Sequence, residues 1–250
     1  MKVAVLLNTH FLNNEIQNRF NLLKEDAPDN FDFFIIQNNE SIKNPYYNIY
    51  KNNNISIFEY SSEALKTEGY KLLPSLGGKP IMWSNGSVMS INLFQKHFPG
   101  YDYYWSIEYD IMFNGKWKYF FDTVHKNDFD FCTSHLGMAL PDWWWYTYIN
   151  IPQIVFGTFI STSVRMRSFN TICAFSNRFL NYLDKIYKLG FYGYGEQTIP
   201  TAAFNSKEHF KIIDLAKDLN LCDSQSNNWK ELYNNIEIEN YIYHPVKIEQ

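Results

Sequence analysis

Cysteine is scarce in this chain, and where it occurs it does not cluster. Cys132, Cys173 and Cys222 stand far apart without C-x-x-C spacing, which excludes a disulfide framework and a cysteine-held zinc site and fits a reducing cytoplasm. Positive charge is not in excess either: 22 Lys and Arg against 26 Asp and Glu leave a formal charge of −4. No general phosphate-backbone surface is expected, and nucleic acid is not an expected partner. Long apolar runs are missing. The run KVAVLL stops after Leu7 with no small-residue cleavage site behind it, and no other stretch approaches the roughly 20 apolar residues of a membrane span. A soluble chain is expected, with at most a peripheral contact to a membrane. Linker-like composition and internal repeats are absent, so the 250 residues are read as one domain. Gly77-Gly78-Lys79 lacks the spacing of a P-loop.

Aromatic residues, by contrast, are abundant: 19 Tyr, 21 Phe and 7 Trp. They build either a bulky core or clefts for flat, partly apolar ligands such as nucleobases and sugar rings, and composition alone does not choose. The chain opens with a buried-type run over 2–7, followed by Ile16, Phe20 and Leu23 at helical spacing. Strands are expected over 31–38 and 55–61, with the Asn-rich stretch between them an irregular loop. A helix beginning near Asn85 or Ser87 ends at Pro99-Gly100. Further on, helices over 117–125 and 177–188 and strands over 129–135 and 170–176 are expected. This alternation predicts an α/β fold with a mostly parallel central sheet flanked by helices. In such sheets ligands sit beyond the carboxyl ends of the strands. Those ends carry Asn8-Thr9-His10, Ser61-Ser62, Glu108-Tyr109-Asp110 and Ser134-His135.

The stretch YDYYWSIEYDIMF, 101–113, is almost wholly aromatic and aliphatic, yet it carries three carboxylates. Read as one strand, it places Tyr103, Trp105, Ile107, Tyr109, Ile111 and Phe113 on one apolar face. Glu108 and Asp110 then project side by side from the other. An unpaired buried carboxylate is expensive, so something must offset the two, and a hard divalent cation is the leading candidate. The bland alternative is a solvated strand face.

Several stretches resemble a known family. An N-terminal strand, repeated β–α units and an aromatic strand ending in an acidic-x-acidic element look like the GT-A class of nucleotide-sugar glycosyltransferases. The run WSNGSVMSINLFQKHFPGYDYYWSIEYDIMFNGKW, 83–117, is similar to a poorly characterised glycosyltransferase-like group of fungi and bacteria, with its W-x-N-G, D-Y-Y-W, E-x-D and G-x-W pattern. The resemblance implies a GT-A-like domain with a nucleotide-binding part over about 1–135 and an acceptor side over about 136–250. It also implies that Glu108 and Asp110 hold Mn²⁺ or Mg²⁺ against the diphosphate of a nucleoside diphosphate sugar, a UDP-sugar being favoured. Many GT-A enzymes return a C-terminal His to the metal, and His244 of YHPVK stands in the matching place, with Lys247 facing the diphosphate. Glu196 of GYGEQ resembles the acid that such enzymes place beside the acceptor hydroxyl. The usual second acid is Gln197 here, so either Glu196 acts alone or no base is needed; helix capping is the structural reading of Glu196. Leu7, Asn8 and Thr9 at the first strand's end, with Asn85 of the W-x-N-G element, form the expected donor pocket.

Three adjacent tryptophans, Trp143, Trp144 and Trp145, cannot all face one core. They are read as a wall for the acceptor sugar rather than a membrane anchor, because no Lys or Arg flanks them in the sequence. Together these features predict a metal-dependent glycosyltransferase that moves a sugar onto a hydroxyl of a glycan or glycolipid. A metal-dependent phosphoester hydrolase and a non-catalytic carbohydrate-binding domain are the rival readings.

Overall fold

A computed structural model describes residues 1–40, 47–52, 54–73, 82–160, 164–222 and 239–245, leaving out the side chains of residues 47 and 82–87. The chain runs β1 (Val3–Thr9), α1 (Asn14–Glu25), β2 (Phe31–Asn38), β3 (Tyr47–Asn52), β4 (Ile55–Tyr60), α2 (Ser62–Thr67), α3 (Met82–His97), β5 (Tyr103–Glu108) and β6 (Met112–Asn114). It continues through α4 (Trp117–His125), β7 (Phe131–Met138), β8 (Ile149–Asn150), β9 (Met166–Ser176), α5 (Asn177–Lys188), β10 (Tyr192–Gly193), α6 (Gly195–Asn205), β11 (Ile212–Asp214) and β12 (Tyr241–Tyr243).

Eight strands form the central sheet in the order β11-β7-β9-β5-β1-β2-β4-β3. β1 pairs in parallel with β2 and β5, β2 with β4, and β7 with β11. β9 is antiparallel to both neighbours, and β3 is antiparallel to β4 at the edge. A strand covered by helices on both faces must be apolar on both, and β1 meets that demand. Val3, Val5 and Leu7 pack on one side with Ile16, Phe20 and Leu23 of α1. Ala4 and Leu6 pack on the other with Phe94 of α3 and Leu183 of α5. The expected α/β architecture with a mostly parallel sheet is what the chain adopts. Caps fix where two helices begin: Asn13 Oδ1 accepts the Ile16 amide at 3.0 Å, and Ser176 Oγ accepts that of Phe179 at 3.1 Å, each worth about 1 kcal/mol.

Four local expectations change. The Asn-rich stretch is in part a strand, β3, because the β4 edge offers unpaired backbone groups that even polar residues can satisfy. Residues after Tyr60 turn into α2, capped by Ser61 Oγ on the Ala64 amide. Helix α3 is already formed at Met82, so Asn85 lies within its first turn rather than at its start. Most consequentially, 101–113 is not one strand. β5 ends at Glu108, the Ile111 amide turns back to the Glu108 carbonyl at 3.1 Å, and β6 leaves the central sheet to pair with β12. The expected apolar face nevertheless carries through the turn: Trp105, Ile107, Ile111 and Phe113 enter one core, with Tyr103 and Tyr109 packed against it, and Tyr104 enters the other.

Candidate active site

A cleft of about 300 Å³ opens beyond the carboxyl ends of β1, β2, β4 and β5. Asn8, Thr9, Glu108, Asp110, Glu196 and His244 all line it, so six of the residues singled out in the sequence meet in one place. Each arrives by a different route. Asn8 and Glu108 are register partners on adjacent parallel strands. Asp110 sits in the turn after β5, where the Tyr109 amide donates to the Asn8 carbonyl at 3.0 Å. His244 follows directly on β12, whose Tyr243 pairs with Met112 of β6. The turn that breaks the long strand therefore delivers the acidic pair and the histidine together.

His244 Nε2 lies 3.3 Å from Glu108 Oε2 and 3.3 Å from Asp110 Oδ1. One N–H cannot point at two acceptors with good geometry. Asp110 Oδ1 is buried and, apart from that contact, receives no hydrogen bond among the described residues. Burial opposes a charged imidazole, but the two carboxylates outweigh it and lift His244 to about 9. One ligand atom from each of Glu108, Asp110 and His244 falls within 4.8 Å of the others. Two carboxylate oxygens and an imidazole nitrogen suit Mn²⁺ or Mg²⁺, the nitrogen favouring Mn²⁺. The donor set and the under-satisfied buried oxygen both fit such an ion.

Glu196 stands in the first turn of α6 and faces the same cleft. Burial, and then the negative charge of Glu108, push its carboxyl up to about 8, against the opposing pull of an Asn170 backbone hydrogen bond and of His244. Without a bound cation it therefore holds a proton at neutral pH, whereas a carboxyl with the ordinary pKa would not. The start of α6 is firmly held. Asn170 Nδ2 donates to the Gly195 carbonyl at 3.2 Å, while its Oδ1 accepts the hydroxyls of Thr133 at 2.8 Å and Ser168 at 2.7 Å. Gln197, where an acid was the usual residue, is fully buried and donates to the Tyr146 carbonyl at 3.0 Å. Its work is structural.

Trp143, Trp144 and Trp145 do not line the cleft. Trp145 stacks on Tyr194 with centroids 4.0 Å apart and planes 17° from parallel, and Tyr194 does line it. Trp144 is 78% exposed. The stack is possible because Gly193 has no side chain: a Cβ there would collide with the Tyr148 carbonyl oxygen. Leu7 points away from the cleft into the α1 core, a consequence of strand alternation that a three-residue window at a strand end overlooks. Ser134 and His135 also fall outside the lining. The side chain of Asn85 and all of Lys247 lie outside the described residues. Asn38 and Tyr60, at the carboxyl ends of β2 and β4, join the cleft unannounced, although the strand-end rule that found Asn8 would have reached them.

A family model described as a protein of unknown function (DUF3405) matches residues 26–128. The match takes in Glu108 and Asp110 and stops short of Glu196 and His244. No curated protein matches. Among solved structures, mouse xyloside xylosyltransferase 1 in its apo form is 10% identical with a TM-score of 0.42, over 99% of each chain. The mannosyltransferase Ktr4p of S. cerevisiae is 11% identical with a TM-score of 0.40, over 82% of this chain and 66% of that one. S. aureus TarS 1-349 in complex with UDP-GlcNAc is 11% identical with a TM-score of 0.38, over 87% of this chain and 56% of that one. These neighbours are glycosyltransferases, but likenesses this loose decide neither activity nor substrate. Among the described residues no helix is long and apolar enough to cross a membrane.

Proposed function

We propose that the protein is a metal-dependent glycosyltransferase that moves a sugar from a nucleoside diphosphate sugar to a hydroxyl of a glycan or glycolipid. The observation that carries this reading is the meeting of Glu108, Asp110 and His244, one ligand atom each within 4.8 Å, in a cleft shared with a partly buried acid, Glu196. Glu108, Asp110 and His244 would hold Mn²⁺ or Mg²⁺, which when bound supplies positive charge against the diphosphate as it leaves. Asn8 and Thr9 would line the donor side, with Asn38 and Tyr60 beside them. A UDP-sugar remains the favoured donor. Lys247 is retained as a candidate for a phosphate contact on sequence grounds alone. Glu196, which lines the same cleft, would hold a proton at its carboxyl beside the sugar or the acceptor hydroxyl, orienting that hydroxyl or receiving its proton once the carboxyl is ionised. Tyr194, backed by Trp145, forms an aromatic wall on the acceptor side, where a sugar ring can stack.

Isothermal titration of UDP, GDP and CMP with and without Mn²⁺ tests the reading. One nucleotide is expected to bind in a Mn²⁺-dependent way, and Asp110→Asn to weaken that binding about tenfold or more while the circular dichroism stays unchanged. Nucleotide binding indifferent to Mn²⁺, or an Asp110→Asn variant that binds like wild type, would sink it.

A further inference from the structure

We propose that an irregularity in β9 sets the two halves of the site against each other, Phe169 acting as the positioning residue for His244 and Asn170 for Glu196. Regular pairing onward from Cys132 and Ala174 would put Ile172 opposite Ser134; Phe169 stands there instead, three residues further along. A slip by an odd number exchanges the two faces of a strand. On the regular side of the slip, Cys173 and Phe175 enter the core beneath α5, and Ile172 and Ala174 the core beneath α1 and α4. Straight alternation would continue Phe169 on the α5 side and Asn170 on the other. The observed contacts are the reverse. The Phe169 ring meets that of His244 edge-on, with centroids 5.4 Å apart, next to β12, whose Ile242 belongs to the α1 core. Asn170 Nδ2 reaches the Gly195 carbonyl of α6, whose Ile199 and Ala202 belong to the α5 core. The slip has room because β5 leaves. Its last register pair with β9 is Ile107 with Ile172, and the turn after Glu108 takes that neighbour away from 169–171.

Both residues are held from β7. Ser134 Oγ donates to the Phe169 carbonyl at 2.9 Å, and Thr133 Oγ1 is shared between that carbonyl at 3.3 Å and Asn170 Oδ1 at 2.8 Å. The Phe169 ring also meets that of His135, with centroids 5.9 Å apart. His135 has a φ of 56°, a left-handed conformation that costs a residue with a side chain. The Asp214 carboxylate keeps it there by accepting the His135 and Leu136 amides at 3.2 and 2.7 Å. The strand end Ser134-His135, which the sequence marks and the cleft does not use directly, thus acts through Phe169. Thr133, Ser168 and Asn170 are all buried. Buried polar groups cost stability unless they are bonded, and apolar side chains would fill the space without that demand. What the polar trio adds is direction. Helix α6 needs it, because Tyr194 at its N-cap makes no side-chain cap bond. A backbone hydrogen bond from Asn170 acts on the Glu196 carboxyl as well. What His244 and Glu196 do once positioned rests on the transferase reading, and the contacts that position them do not.

Two measurements on the full chain test the proposal: calorimetric titration with Mn²⁺ alone, and the Tm advantage of Glu196→Gln at pH 8 in chelator-treated buffer, taken in each background. Phe169→Leu is expected to weaken Mn²⁺ binding about tenfold and to leave the Glu196→Gln advantage unchanged. Phe169→Tyr keeps the ring and is expected to bind Mn²⁺ within about threefold of wild type. Asn170→Ala is expected to bind Mn²⁺ like wild type and to cut the Glu196→Gln advantage by about half or more, because a loosened first turn lets the carboxyl reach water. Where Asn170→Ala does not melt cooperatively, Thr133→Val, which takes a hydroxyl from Asn170 Oδ1 at constant shape, replaces it. Phe169→Leu binding Mn²⁺ like wild type, or an advantage of the same size in the Asn170→Ala background, overturns the proposal. So do variants that each move both readouts, the mark of a β9 that has merely loosened. Wild type that takes up no Mn²⁺ and gains nothing from Glu196→Gln overturns the reading of the site itself, and this proposal with it.

Discussion

Replacing Glu196 by Gln in the metal-free protein should make it more stable, and increasingly so as pH rises. The reason is that burial and the charge of Glu108 push the folded-state carboxyl up to about 8 from an ordinary 4.5. A carboxyl raised on folding contributes its stability below the unfolded pKa and loses it as pH rises through the folded one. Between pH 4.5 and 8 the unfolded chain has released this proton and the native chain still holds it, so each pH unit costs about 1.4 kcal/mol, about 5 kcal/mol across the interval if the group were wholly shielded. Glu196 lines an open cleft, and water there screens part of that cost, so about 2–4 kcal/mol is the reasonable expectation. Gln has the same shape and never titrates. For a chain of 250 residues this corresponds to a Tm advantage of about 5–10 °C at pH 8, shrinking towards nothing at pH 4.5. Thermal denaturation of both proteins across this range in chelator-treated buffer measures it. Parallel curves, with the variant neither gaining nor losing on wild type, would refute the claim that folding holds Glu196 protonated. The same variant should keep Mn²⁺-dependent nucleotide binding and lose about 10² in transfer, since its work is on the acceptor side. Full transfer by a stabilised variant would leave Glu196 a strained helix-start residue with no chemical role.

Three other outcomes follow from named contacts. His244→Ala should weaken Mn²⁺ binding less than Asp110→Asn does, because a neutral imidazole contributes no formal charge; calorimetric titration of both variants ranks them, and the reverse order would remove His244 from a supporting role. Trp145→Ala removes the partner stacked on Tyr194 and should raise the acceptor KM with little effect on donor hydrolysis; an unchanged KM disposes of the aromatic wall. At the other end of the pH scale, Trp105 Nε1 donates to His125 Nε2 at 3.0 Å, and burial pulls that imidazole down to about 4. The neutral ring's contribution is complete above pH 6.5 and is lost as pH falls towards 4, at most about 3 kcal/mol. His125→Gln, whose side-chain oxygen accepts at any pH, should flatten the acid limb of the Tm profile, and an unaltered limb would show that other groups set it.

The parallel half of the sheet was legible because its signals are local. β1 is apolar on both faces, α1 is announced by three residues at helical spacing, and Phe31–Asn38, Trp117–His125 and Asn177–Lys188 fall where the pattern puts them. The failures lie where the outcome depends on what an element pairs or packs with. Tyr47–Asn52 becomes a strand only beside β4, and strand alternation turns Leu7 away from the cleft onto α1. The acidic pair does not stand as two neighbours on one straight strand, because β5 ends at Glu108 and Asp110 lies in the turn that follows. Nothing in 101–113 says that the chain must turn after Glu108. That information sits in the β12 strand, Tyr241–Tyr243, which takes β6 as its partner.

That separation bears on how the site is assembled. Glu108 is fixed by β5 in the middle of the central sheet, whereas Asp110 lies in a turn and His244 ends a strand of three residues. The β6–β12 pair is two-stranded, and an isolated pair of that size is marginal by itself. Its anchorage comes from side chains: Phe113 and Ile242 enter the core that also holds Trp105, Phe120 and Ile107. The position of two of the three candidate ligands is therefore set by packing beneath the small sheet rather than by its own hydrogen bonds. Truncating Ile242 to Ala would loosen Asp110 and His244 together and leave Glu108 in place. A core substitution of this kind at the small sheet should thus weaken Mn²⁺ binding out of proportion to its effect on the central sheet, without altering any residue that touches the ion.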